Sequence, residues 1–156
     1  MNGFKLYGQS KIDVIIIEYC TNYRNISEPW RKLKDHDVGE NNLHCDETNV
    51  SFDGSTWFRF IGAAGTRLQT APNALSMQRK LPCKTHGVSW INGSHPLVSE
   101  GVVSRQICYA YNGVQCWGST LTHDMNIAAC AQNDGNIFYV YQLTNPKSCE
   151  HAYCAE

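Results

Sequence analysis

The sequence predicts a β-rich domain, an α+β fold with minor helix, in which disulfides staple a compact antiparallel sheet. Three observations point there. The chain has 156 residues, enough for one domain with a real core. It carries eight cysteines spread over most of its length. Several short segments alternate apolar and polar side chains with the period of two that a strand requires.

The strands follow in order. Asp13–Tyr19 is β-branched and reads as a short strand or as part of a leader. Ser55–Ile61 places Phe58 and Phe60 on one face and Trp57 and Arg59 on the other, and Gly62-Ala63-Ala64-Gly65 then breaks it. Val88–Ile91 is a short strand closed by the turn Asn92-Gly93. Val102–Tyr109 and Met125–Ala129 are two further candidates. Ile137–Leu143 is the clearest: Ile137, Tyr139, Tyr141 and Leu143 share one face, Phe138 and Val140 the other. With both faces apolar it belongs inside the domain. Lys32–Asn42 is a polar surface loop, and Thr70–Lys80 has room for a helical turn from Asn73.

Composition narrows the function classes. The formal net charge is −1, so there is no basic field for nucleic acid. None of Cys20, Cys45, Cys83, Cys108, Cys116, Cys130, Cys149 and Cys154 forms a C-x-x-C pair, which argues against zinc knuckles and thioredoxin-type redox motifs. An even, dispersed set points to an oxidising compartment and disulfides. Three sequons agree: Asn25-Ile26-Ser27, Asn49-Val50-Ser51 and Asn92-Gly93-Ser94. Together they predict a secreted or cell-surface glycoprotein with Asn25, Asn49 and Asn92 as glycan acceptors.

The visible start does not look like a signal peptide. Its only apolar run, Val14–Ile17, lies between Asp13 and Glu18 and is too short. No run of 18 apolar residues suggests a membrane span, and no C-terminal apolar tail suggests a lipid anchor. The expectation is a piece of a longer secreted chain, with residues 1–19 as leader or fragment edge and no membrane insertion in this segment.

Candidate chemistry is sparse. His44, Cys45, Cys149, His151 and Cys154 are metal-ligand types, but their spacing and compartment favour disulfides, so no metal or other cofactor is expected. A Ser–His–Asp site would have to draw on His95, His123 and Asp124, and no Gly-x-Ser-x-Gly elbow accompanies them. Gly62–Arg67 lacks the lysine and spacing of a phosphate loop and reads as a tight turn. Trp30, Trp57, Trp90 and Trp117, with eight tyrosines, offer rings for sugars or protein partners, although core packing accounts for most of them. No catalytic residue is assigned.

The motifs taken in order resemble a known pattern. Cys20-Thr21-Asn22-Tyr23, Glu28-Pro29-Trp30-Arg31 and Cys45-Asp46 come first. Trp57-Phe58-Arg59-Phe60-Ile61-Gly62-Ala63-Ala64-Gly65 follows, then Cys83-Lys84-Thr85 and Trp90-Ile91-Asn92-Gly93-Ser94-His95-Pro96. Gly101–Arg105 leads to Cys108, and Phe138–Leu143 with Tyr153-Cys154 closes the series. This order resembles the eight-cysteine domain of the uromodulin and zymogen-granule membrane glycoprotein family, as an invertebrate-type member or fragment, over residues 20–155.

The resemblance implies the pairs Cys20 with Cys130, Cys45 with Cys149, Cys83 with Cys154, and Cys108 with Cys116. Relatives with one further bridge would have its cysteines near Ala74 and Gln115, both absent here. A sequon of some relatives falls at Gln142-Leu143-Thr144, where Gln142 bars a glycan. The implied function is a non-catalytic extracellular module for binding, scaffolding or glycan display. Its implied partners are extracellular proteins, or microbial and host lectins reached through N-glycans. A carbohydrate-binding domain is the alternative, and an extracellular hydrolase stands behind it.

Overall fold

A computed structural model describes residues 17–34, 43–47, 49, 51–72, 81–116 and 122–156. The expected strand at Asp13–Tyr19, the loop at Lys32–Asn42 and the turn from Asn73 therefore fall wholly or largely outside the described residues, as does Trp117. Residues Glu18–Cys20, where that first strand would end, form a 3-10 turn.

Seven strands are described: β1 Arg24–Ile26, β2 Asp53–Phe60, β3 Gly87–Asn92, β4 Val102–Ala110, β5 His123–Ala131, β6 Ile137–Thr144 and β7 His151–Ala152. They form one sheet in the order β1-β2-β6-β5-β4-β3-β7. The purely antiparallel sheet expected above needs correction. The five longer strands pair antiparallel, but β1 runs parallel to β2 and β7 parallel to β3, so the sheet is mixed. The reason is topological. Each flanking strand is reached by a long connection, which a parallel pairing requires and a hairpin does not. The described helical content is limited to short 3-10 turns.

Alternation along the strands builds two apolar faces. Phe58, Phe60, Ile91, Ile107, Tyr109, Met125, Ile127, Tyr141 and Leu143 line the front, packed beneath Ile26, Phe52, Ala64, Leu68, Tyr153 and Ala155. On the back, Ala128, Cys130 and Val140 are covered by Tyr19, Cys20, Tyr23, Trp57 and Phe138. Trp90, Cys108 and Ala110 form a second back cluster with Cys116. Strand β6 is covered on both faces, Tyr141 and Leu143 by the front layer and Phe138 and Val140 by the back cluster, which explains its two apolar faces. Ile137 departs from the expected pattern: at the strand's start it is 53% exposed.

The C-terminal segment closes the front face. Ala155 donates its N–H to Arg31 O (2.8 Å) and accepts from Leu33 N–H (2.7 Å), while Glu156 exchanges backbone bonds with Thr66 and Arg67. Residues 153–156 thus run between Arg31–Leu33 and Gly65–Leu68. Gly65 is required there. Its φ is +98°, and a Cβ would lie 2.8 Å from Glu156 O and 2.9 Å from Ala155 C and O. Gly65→Ala should cost about 2 kcal/mol or more, a fall of roughly 4–8 °C in Tm. An unchanged Tm would mean that the C-terminal segment does not pass so close.

Candidate functional site

The eight cysteines form four disulfides: Cys20–Cys130, Cys45–Cys149, Cys83–Cys154 and Cys108–Cys116. Cys20–Cys130 pins the N-terminal turn onto the back of β5. Cys108–Cys116 folds the Tyr111–Val114 turn under β4, where Trp90 Nε1 donates to Gln115 O (2.5 Å). Cys83–Cys154 and Cys45–Cys149 tie the chain around β7 to the loops before β3 and β2. The cysteine sulfurs of the candidate metal set are thereby bonded to sulfur, and His44 stacks on Trp30 with ring centroids 4.4 Å apart. Among the described residues no group of three or more acidic, histidine or cysteine side chains converges as a metal site.

The three sequon asparagines occupy different settings. Asn25 is exposed on β1, in register with Arg59. Asn92 is exposed at the end of β3, and its amide donates to Gln106 Oε1 (2.9 Å). Asn49 is half-buried, and its side-chain oxygen accepts the Ser51 N–H (3.1 Å). Gln142, the residue in place of a fourth sequon, bridges β5 and β2 instead. It accepts from Asn126 and donates to Ser55 O, both at 2.9 Å.

The histidines considered for hydrolysis meet tyrosines. His95 Nε2 lies 3.0 Å from the Tyr141 hydroxyl, which also accepts the Leu68 N–H (3.1 Å). The His95 ring packs on Tyr139 at 4.1 Å. His123 Nε2 lies 2.8 Å from the Tyr153 hydroxyl, which donates to Thr144 O (2.7 Å). His151 stacks on Tyr109 at 4.0 Å. These contacts make rigid core links, and burial pushes the tyrosine hydroxyls of Tyr109, Tyr141 and Tyr153 up from their ordinary values.

Burial and the Arg67 charge hold His95 down to about 4, and burial and His123 do the same for His151. Both therefore bind a proton less well folded than unfolded, where the value is 6.5. Their contribution to stability is complete above pH 6.5 and is lost as pH falls towards about 4. NMR titration should show both rings still neutral as pH drops through 6.5, with the denaturation midpoint already declining. Rings that titrate at the unfolded value would contradict this.

Two concavities stand out among the described residues. The larger, about 840 Å³, opens at one end of the sheet between Arg59–Gly62 and Asn136–Tyr139, with Thr66, Arg67 and Glu156 along its wall. The Arg59 guanidinium lies 3.8 Å over the Phe138 ring and donates to the Tyr23 hydroxyl (3.0 Å). Arg67 pairs with Glu156 at 3.0 Å, both side chains being about half exposed. The smaller, about 430 Å³, lies on the back beside Tyr19, Tyr23 and Trp57, with Glu18 and Asn22 at its rim. The sequence offers Trp57 and the tyrosines as rings for sugars or partners, but it marks Arg59 only as a strand residue within a family motif. The larger groove depends on where two strands part, which no local pattern encodes.

A profile of the uromodulin-like eight-cysteine domain matches residues 58–155. The chain belongs to this family. The uromodulin-like domain is 35% identical to mouse uromodulin over 137 residues, 88% of this chain and 18% of that protein. It is 31% identical over 137 residues to the dog pancreatic secretory granule membrane major glycoprotein GP2, again 88% of this chain and 23% of that one. The rat GP2 protein is 27% identical over 143 residues. The chain thus spans about a fifth of the length of these relatives. As a uromodulin-like domain with four disulfides, it is a secreted or cell-surface module. No described helix is long and apolar enough to cross a membrane.

Proposed function

We propose that this uromodulin-like domain is a non-catalytic extracellular module that displays N-glycans and offers its surface to protein partners or lectins. The observation that carries this reading is the setting of two sequons. Asn25 and Asn92 are exposed on strands of a disulfide-locked sheet, so a glycan on either would be held in a defined direction. Asn49 is the least accessible acceptor of the three, being half-buried where Asn25 and Asn92 are exposed.

Glycopeptide mapping of the secreted protein, digested without reduction, tests the proposal. Glycans are expected at Asn25 and Asn92, and lectin capture should be lost in the Asn25→Gln/Asn92→Gln variant while the fold persists. Unmodified asparagines, or cysteines recovered as free thiols, would overturn it.

A carbohydrate-binding reading is favoured by one specific feature, the smaller pocket. Tyr19, Tyr23 and Trp57 supply ring faces there, and Glu18 and Asn22 supply polar groups. A glycan array probed with deglycosylated protein separates the two readings: binding that Trp57→Ala abolishes would move the function to sugar recognition. The hydrolase reading gains nothing from His95 and His123, whose Nε2 atoms face tyrosine hydroxyls.

A further inference from the structure

The groove at the sheet end exists because two neighbouring strands part. The ladder between β2 and β6 pairs Asp53 with Thr144, Trp57 with Gln142 and Phe58 with Tyr141, and ends there. Both strands continue beyond that point. Phe60 stays in register with Ile26 on the far side of β2, and Tyr139 and Ile137 with Ala129 and Ala131 on the far side of β6. The space between them is the groove.

Backbone polarity follows from the register. Successive residues of an antiparallel strand direct their N–H and C=O to alternate sides. Gln132 N–H donates to Asn136 O (2.8 Å), which turns Asn136 towards β5. Alternation turns Phe138 and Val140 the same way, and turns Ile137, Tyr139 and Tyr141 towards β2. Tyr141 meets Phe58 there, whereas Ile137 and Tyr139 have no ladder partner on β2. Their donors and acceptors recur about 6.8 Å apart, the two-residue repeat of an extended chain.

Charge supplies the second half of the argument. The described contacts of Arg59 are all with neutral groups: the Tyr23 hydroxyl and ring, and the Phe138 ring. Arg67 holds only the half-exposed Glu156, a pair that solvent screens. An exposed Ile137 adds an apolar contact at the mouth. A peptide edge flanked by two guanidiniums and one carboxylate, Glu156, is net positive and matches an extended chain that carries carboxylates.

We propose that this groove binds an extended acidic peptide segment of a partner protein by strand addition to β6. The segment's backbone pairs with Ile137 and Tyr139, and its carboxylates engage Arg59 and Arg67. This surface is distinct from the Asn92 glycan site, whereas Asn25 is in register with Arg59 and a glycan there would border the groove. Asn92 lies at the opposite end of the strands, about 20 Å away at strand rise.

The test is a titration of the intact, disulfide-bonded chain with the peptide Ac-Glu-Glu-Val-Glu-Glu-NH2, whose carboxylates fall on both faces of an extended chain, followed by amide NMR. Saturable shifts are expected at Ile137 and Tyr139. The lysine counterpart should bind roughly tenfold more weakly, as should Arg59→Gln with the acidic peptide. One of the two alternately N-methylated forms of the acidic peptide should lose binding, because it lacks the donors that face β6. Ile137→Pro should also weaken binding, since it removes a groove-facing N–H at the first residue of the strand, where proline is tolerated. Absence of saturable shifts at either residue, equal binding of both charge signs, or indifference to N-methylation would each overturn the proposal. So would binding of sialyllactose at this groove in place of the peptide, which would make the ligand an acidic glycan.

Discussion

Asp46→Ala is expected to destabilise this domain by about 3–5 kcal/mol, the scale of breaking one side of a buried ion pair. Arg31 and Asp46 are 2% and 1% exposed. They meet in a two-pronged pair, Nη1 to Oδ2 and Nη2 to Oδ1, both at 2.8 Å. Each also holds the closing segment: Arg31 donates to Tyr153 O (3.1 Å), and Asp46 accepts the Tyr153 N–H (2.9 Å). The guanidinium lies 4.2 Å over Trp30 and its Nε is 3.4 Å from Glu28.

Removing the carboxylate leaves a desolvated cation and frees a buried backbone N–H. Asp46→Asn should fare little better, since one acceptor oxygen must serve where two now do. The pair itself need not be net stabilising, because desolvation offsets much of its attraction. The double variant Arg31→Met/Asp46→Leu should therefore recover a large part of the loss. Guanidinium denaturation with the disulfides intact, followed by tryptophan fluorescence, measures all four proteins. A loss under about 1 kcal/mol in both Asp46 variants would show that water reaches the pair.

The second large effect concerns the disulfides, and it is a ranking. Cys20–Cys130 closes a sequence separation of 110, Cys108–Cys116 one of 8. Loop-closure entropy then assigns about 5 kcal/mol to the first and about 2.5 kcal/mol to the second. Paired replacement by alanine, Cys20→Ala/Cys130→Ala against Cys108→Ala/Cys116→Ala, should reproduce that order in denaturation midpoints. The first variant should also loosen Tyr19 from the back face, where the described contacts of its ring are those with Trp57 and the back cluster. Equal losses in the two variants would mean that local packing, and not the constraint on the unfolded chain, sets their worth.

The elements differ in how far local pattern reveals them. The five long strands are visible in the sequence, most by alternation, as where Phe58 and Phe60 stand opposite Trp57 and Arg59, and β3 by a short apolar run closed by Asn92-Gly93. Strands β1 and β7, three and two residues long, are too short to carry a period. Their partners are set by the connections that deliver them, and so local pattern does not reveal their parallel sense. The same reasoning covers the charged pair. Arg31 and Asp46 are 15 residues apart in segments with no repeat, and only the path of residues 153–156 brings both to one buried point.

The sequence by itself determined the class of this protein: a disulfide-dependent β domain with no basic field and with strands whose two faces are set by alternation. The order of the motifs also identified its family. Those properties are local or compositional, and need only neighbours along the chain. The tertiary structure alone decided the mixed sense of the sheet, the buried Arg31–Asp46 pair and the groove between β2 and β6. Each of these depends on where distant backbones meet or part. The β2–β6 ladder stops at Phe58 and Tyr141 because β1 and β5 hold the two strands from outside, and no residue in either strand announces that point.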